Sequence, residues 1–298
     1  MNTPPAPSLP ALNDSTFALG AFSVRRLGYG AMQLPGPNAF GPPRDHSTAL
    51  AVLRRAVELG VNHIDTAGYY GPDIANALIR EALHPYPQDL ALVSKVGSRR
   101  DSDGAWLAVG PDQLRADIEA NLRTLGVAQL ALVNLRIKDS EDPGAVFDER
   151  LDVMIKARDD GLIGAIGLSN ITREHLLRAL DRTEIASVQN PYNLADRSSQ
   201  PVLDECRDRN IAFVPFFPLG SATAPNNAVL GNPTVLSEAT RLNRTPAQIA
   251  LAWTLNIAPN VLLIPGTSSV THLEENLAVA DIVLADEARA DIDVIGQI

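Results

Sequence analysis

The chain has 298 residues, of which 45% are hydrophobic and 20% charged, and a formal net charge of -10. This composition excludes a disordered chain, and the acidic balance disfavours a nucleic-acid or anionic-membrane surface. One cysteine, Cys206, cannot form an intrachain disulfide, and no stretch approaches the roughly 18 apolar residues of a membrane span, so a soluble cytoplasmic protein is expected.

Residues 1–14 are rich in proline and small residues and lack a basic start or an apolar run. They read as a loose tail, not a secretory signal. Residues 16–24 read as a hairpin turning at Gly20. From Leu27 onward, short apolar runs alternate with amphipathic stretches. Strands are expected at 28–31, 62–65, 91–95, 130–135, 163–168, 186–189, 211–215 and 261–264. Helical spacing covers 48–59 (Leu50, Leu53, Val57), 112–125 (Leu114, Ile118, Leu122, Leu125), 151–158, 173–180, 201–209, 246–255 and 270–280. Asp112, Thr172, Ser199 and Thr271 stand where caps are expected. Cys206 falls on the apolar side of its helix, beside Val202 and Leu203, and reads as core.

Eight strand–helix units with no shift in composition indicate an α/β fold, a (β/α)8 TIM barrel with an N-terminal β-hairpin. The expected organisation is a tail at 1–14 and one domain at 15–298. A doubly wound open sheet is the alternative. Its glycine fingerprint is incomplete here, because Gly28-Tyr29-Gly30 runs into Ala31-Met32-Gln33, and Gly161, Gly164 and Gly167 lie before and within a strand. Long connections at 33–44 and 216–233 would form the barrel mouth.

The C-terminal ends of barrel strands carry the chemistry in this architecture. They supply Asp65, with Tyr70 in the following loop, then Lys95, Arg136, Ser169 and Asn170, Gln189, Phe216, and Gly266 with Thr267. A buried lysine is costly unless paired, and Asp65 on the adjacent strand is its natural partner. A cation beside Tyr70 favours the phenolate and lowers its pKa from about 10, which would suit a proton donor near neutrality. The purely structural alternatives are a buried salt bridge for Lys95 and rim packing for Tyr70 and Phe216. The histidines at 46, 63, 84, 175 and 272 show no ligand spacing, so no metal is expected.

His63-Ile64-Asp65-Thr66-Ala67-x-x-Tyr70-Gly71, Ser94-Lys95, Gly164-x-Ile166-Gly167-Leu168-Ser169-Asn170, Gln189-Asn190-x-Tyr192-Asn193 and Ile264-Pro265-Gly266-Thr267 resemble the aldo-keto reductase family, in its order and from residue 16 onward. The resemblance implies a barrel that binds NADPH without a Rossmann domain and reduces aldehydes and ketones. It implies Tyr70 as proton donor, tuned by Asp65 and Lys95. Ser169, Asn170 and Gln189 would hold the nicotinamide carboxamide over Phe216. Gly30, Leu219, Gly220 and Ser221 would approach the cofactor backbone, Gly266, Thr267 and His272 the 2′-phosphate, and Glu275 with Asn276 the adenine. Met32, Tyr69 and Arg136 would face the substrate. For Glu275 and Asn276 the alternative is a solvated helix face.

Two departures from the family pattern matter. Arg136 stands where the family usually has histidine; it is always charged and offers several donors. No lysine or arginine stands at Gly266 or His272, so selection of NADPH over NADH is weaker than usual and NADH is not excluded. Gly28 to Leu34, Phe40 to Asp45, Val133 to Arg136, Val214 to Gly220 and Leu263 to Val270 resemble a bacterial branch of the family that interconverts pyridoxal and pyridoxine. The expected activity is therefore reduction of pyridoxal to pyridoxine. A broad-specificity aldehyde reductase and a low-turnover cofactor-binding sensor are the alternatives. A monomer with a small carbonyl substrate, and no nucleic-acid or membrane partner, is expected.

Overall fold

The computed structural model describes residues 15–138, 143–220 and 228–296. It opens with a hairpin, β1 (Thr16–Leu19) and β2 (Phe22–Arg25), paired antiparallel about Gly20. Gly20 has φ of 59°, a backbone that glycine adopts without strain. Leu19 and Val24 from the hairpin cluster with Ala91, Leu132, Ala165 and Leu262 from the inside of the sheet, so the hairpin plugs the barrel floor.

The chain then runs through β3 (Tyr29–Gly30), α1 (His46–Glu58), β4 (His63–Asp65), α2 (Ile74–Leu83) and β5 (Ala91–Val96). A second hairpin follows, β6 (Ser98–Arg100) and β7 (Trp106–Ala108), before α3 (Pro111–Leu125) and β8 (Leu132–Arg136). Next come α4 (Ala145–Asp159), β9 (Ile166–Ser169), α5 (Arg173–Leu180), β10 (Ser187–Pro191), α6 (Gln200–Asp208) and β11 (Ala212–Phe216). α7 (Pro233–Leu242), α8 (Pro246–Leu255), α9 (Val270–Leu277) and α10 (Asp286–Asp293) complete the described chain.

Seven strands form one parallel sheet in the order β3, β4, β5, β8, β9, β10, β11. The eighth expected strand, 261–264, is not a regular ladder. It touches both edges through single bridges, Leu27 to Leu263 and Phe213 to Val261. The Gly28 amide donates to Leu263 O at 2.7 Å and the Leu262 amide to Phe213 O at 2.9 Å, which closes the ring. Pro265 has no N–H to extend that ladder. Closure is tight: a Cβ on Gly30 would lie 2.5 Å from Ile264 O, and one on Gly266 would lie 2.5 Å from Gly30 O.

Most expected helices are present within a few residues. α4 begins at Ala145, ahead of the expected 151, and α9 ends at Leu277 with a 3-10 turn to Asp281. Thr172 caps α5 in a capping box with His175. Ser199 caps α6 by position only, without a side-chain bond. The cap of α9 is Ser269, not Thr271, and that of α3 is Gly110, with Asp112 in the first turn. α2, α7, α10 and the β6–β7 hairpin were not anticipated. Asp73 stands at the N-cap of α2 in a left-handed conformation and makes no side-chain cap bond. The tail at 1–14 lies outside the described residues. No described helix is long and apolar enough to cross a membrane.

Side chains alternate across a strand, so His63 and Asp65 on β4 both face the barrel interior. His63 is 1% exposed, and both ring nitrogens lack a partner among the described residues. Burial lowers its pKa to about 4, with Lys95 adding to the effect and Asp65 opposing it. Its folded pKa lies below its unfolded value near 6.5, so its stabilising share is complete above that value and is lost as pH falls toward 4. At about 1.4 kcal/mol per tenfold, the loss amounts to roughly 3 kcal/mol. Urea denaturation between pH 7 and 4.5 should show this loss in the native protein, and His63→Phe should flatten it. Parallel curves for the two proteins would exclude His63 as the source.

Candidate active site

β4 and β5 are neighbours in register, with Asp65 opposite Val93, so the tip of β5 reaches past Asp65 with Lys95. Lys95 and Asp65 are 5% and 2% exposed. The Lys95 ammonium donates to Asp65 Oδ1 in a short ion-paired contact and to Thr66 O at 3.1 Å. Gln189, from β10 across the barrel, donates its Nε2 to Asp65 Oδ2 at 2.6 Å. Both carboxylate oxygens are therefore satisfied by buried donors.

Tyr70 follows in the loop after β4 and is buried. Lys95 Nζ lies 5.0 Å from the centroid of its ring. The expected lowering of the Tyr70 pKa by Lys95 is not found. Burial raises the phenol well above its usual value, and the Asp65 charge pushes it further up. The opposing cations are Arg136 and Arg100. Lys95 is already neutralised by its carboxylate. The phenol thus stays protonated throughout the neutral range.

Arg136 ends β8. It donates from Nη1 to Ser169 Oγ at 3.2 Å, and its guanidinium carbon sits 5.1 Å from the Phe216 ring centroid. Asn170, in the left-handed region at φ of 60°, donates its side-chain amide to Ile137 O at 3.0 Å. The structure therefore brings Tyr70, Asp65, Lys95, Gln189, Arg136, Ser169 and Phe216 to one mouth. Gln189 is a member of the Asp65 network as well as a strand-tip amide.

The remaining expected residues spread along one side. Leu219 and Gly220 are half-buried after β11, and Gly220 turns at φ of 80° with its amide on Phe217 O at 2.9 Å. Ser221 lies outside the described residues. The closure of the barrel accounts for glycine at both 30 and 266. Tyr29 Oη donates to Thr267 O at 2.6 Å, which fixes that turn. His272 is exposed, while Glu275 and Asn276 are half-buried on α9. Gln248 Nε2 donates to Glu275 O at 2.9 Å, so part of that face is engaged in packing. Met32 packs against the core from the mouth side. Cys206 is fully buried and its thiol is pushed up to about 12, as befits a core residue and not a nucleophile.

Sequence reasoning missed Arg100 and Trp106. They lie on the β6–β7 hairpin between β5 and α3, and the Arg100 guanidinium stacks 3.7 Å from the Trp106 ring centroid. The available signal was the length of that connection, from 97 to 110.

A parallel barrel with a buried phenol, a buried lysine–aspartate pair and an arginine at its strand tips is equipped to move a proton at the barrel mouth. A model of the aldo/keto reductase family matches residues 26–297. A pyridoxine 4-dehydrogenase of Escherichia coli (strain K12) is 46% identical over 290 residues, covering 96% of this chain and 100% of that protein. An uncharacterized oxidoreductase of Schizosaccharomyces pombe is 38% identical, with 96% and 92% covered. An aldo/keto reductase of Klebsiella pneumoniae, crystallised with NADP and acetate, superposes with a TM-score of 0.79 at 25% identity over 95% of each chain. The chain belongs to the aldo/keto reductase family and is an oxidoreductase acting on CH–OH groups.

Removing one partner of a buried ion pair leaves an uncompensated charge. Asp65→Asn keeps the shape and strands Lys95, and should lower the unfolding free energy by about 3–5 kcal/mol in urea denaturation. A loss below about 1 kcal/mol would mean the pair behaves like an exposed one.

Proposed function

We propose that the chain is a cytoplasmic, NADPH-dependent reductase of aromatic aldehydes whose substrate is pyridoxal, reduced to pyridoxine. The observation that carries this reading is the protonated, buried phenol of Tyr70 beside Arg136, an arginine with no carboxylate partner among the described residues. The full-length similarity to a pyridoxine 4-dehydrogenase supports the choice of substrate.

The donor set fits a nicotinamide cofactor. Phe216 offers a half-buried aromatic face at the end of β11, and Ser169, Asn170 and Gln189 lie at or beside the C-terminal ends of β9 and β10. The Gln189 nitrogen is committed to Asp65, so its carbonyl oxygen would meet the carboxamide. The Ser169 oxygen accepts from Arg136 and keeps its own O–H to donate. Thr267 and the Ser269-capped start of α9 offer hydroxyl and backbone donors to a phosphate. When bound, the reduced nicotinamide supplies a hydride to the carbonyl carbon.

Tyr70 Oη donates its proton to the carbonyl oxygen. Arg136 and Arg100 stabilise the phenolate left behind, and Arg136 also stabilises charge developing on the oxygen. A high folded pKa favours the protonated form, hence reduction. The reverse oxidation needs the phenolate and should strengthen as pH rises. Pyridoxal carries a hydroxyl beside its aldehyde that ionises readily, and the planar fork of Arg136 can hold both oxygens.

Tyr70→Phe should abolish NADPH oxidation with pyridoxal, by at least about a hundredfold, while fluorescence titration shows unchanged NADPH binding. Normal turnover in that variant would remove Tyr70 from the mechanism. Arg136→His should cost pyridoxal roughly tenfold or more in kcat/KM relative to benzaldehyde. Equal losses on both aldehydes would refute the fork.

A further inference from the structure

Behind the ion pair of the mouth lies a second buried polar cluster, through which α2 and α3 hold the tips of β4 and β5. Thr66, Asn76 and Ser94 are fully buried, and Asn121 is 3% exposed. The Thr66 hydroxyl donates to Asn76 Oδ1 at 2.9 Å. Asn76 Nδ2 donates to Asn121 Oδ1 and to Thr124 Oγ1, both at 2.9 Å. The Ser94 hydroxyl donates to the same Asn121 oxygen at 2.7 Å, and Asn121 Nδ2 donates to Asp117 O at 2.8 Å. Both lone pairs of the Asn121 oxygen are thereby occupied. One takes the tie from β5, and the other takes the tie that runs through Asn76 to β4.

The two tied residues flank the charges. Ser94 precedes Lys95, and Thr66 follows Asp65. The carbonyl of Thr66 is itself the second acceptor of the Lys95 ammonium, at 3.1 Å. Asn121 also abuts the loop that carries the phenol, because a Cβ on Gly68 would lie 3.1 Å from Asn121 Nδ2. Gly68 leads into Tyr69 and Tyr70, whose rings meet edge-on with centroids 5.3 Å apart. A satisfied buried network adds little net stability over apolar side chains of the same shape. What it adds is one fixed arrangement.

We propose that Asn121 is a positioning residue for the reduction. Together with Asn76, it holds the Lys95–Asp65 pair and the Tyr70 loop in the alignment from which the phenol reaches the carbonyl oxygen. The role rests on the reading of Tyr70 as the acid, and not on pyridoxal as the substrate.

Stopped-flow single turnovers, with one NADPH per chain mixed against saturating pyridoxal or benzaldehyde, separate alignment from folding. The rate constant reports the chemistry in each folded molecule, and the amplitude of the fast phase reports how many molecules are folded. Ser94→Ala and Thr66→Val each cut one tie, and each should slow the rate constant roughly tenfold at unchanged amplitude. Asn121→Ala cuts both ties and should slow it further. Ser94→Thr restores the hydroxyl and should keep the native rate, and fluorescence titration should show unchanged NADPH binding in every variant. A native rate constant with a reduced amplitude would overturn the proposal and leave Asn121 a purely structural residue. Equal slowing in Ser94→Ala and Ser94→Thr would also overturn it, by showing that the hydroxyl is not what matters. Native rates in the Ser94 and Thr66 variants, with turnover lost in Tyr70→Phe, would overturn the role of Asn121 alone. Normal turnover in Tyr70→Phe would remove the acid and this proposal together.

Discussion

The charge of Lys95 is the constraint from which the site follows. An ammonium at the tip of a buried strand needs a carboxylate within contact distance. Parallel pairing of β4 and β5 puts Asp65 in that place. Asp65 then has a second oxygen to satisfy, and Gln189 reaches it from four strands away. One buried cation thereby ties together two sides of the barrel mouth. The cost of its burial makes this arrangement specific: a slipped register would leave a charge unpaired.

That pairing also sets the character of Tyr70. Lys95 is held in an ion pair by Asp65, so the phenol does not experience a bare cation at close range. Burial then dominates and holds it protonated. The task of stabilising its conjugate base passes to the arginines. Elsewhere the chain pairs guanidinium groups with carboxylates, as in Arg55 with Glu274, Arg99 with Asp117, Arg178 with Asp148 and Arg241 with Glu238. Arg100 and Arg136 have no such partner among the described residues. In a chain with a net charge of -10, two cations without a carboxylate among the described residues make the mouth a local exception.

The barrel was legible because its strands are apolar runs bounded by helical periodicity, and that alternation does not depend on distant contacts. The 173–180 and 246–255 helices could be read to the residue, each with a capping box at its start. The eighth strand was legible as a hydrophobic run, but its reduction to two bridges was not, because Pro265 and the Gly30–Gly266 approach act across the closure. Asp65, Tyr70 and Lys95 could be found from strand ends alone. The sign of the Tyr70 shift could not, since it depends on how deeply the ring is buried and on whether Lys95 is already paired. The β6–β7 hairpin was invisible for a related reason. Ser98, Arg99 and Arg100 are half-buried and the opposing strand is exposed, so neither shows the alternation that marks a strand covering a core.

Arg136 links the two halves of the site. Its present contacts are Ser169 and Phe216, the same groups that suit a nicotinamide ring and its carboxamide. A histidine at this position would offer two ring nitrogens in place of the five N–H donors of a guanidinium. The donors of arginine lie in a plane at the end of a long, flexible stem. One edge of the guanidinium can stay on Ser169 while another turns toward the reacting oxygen.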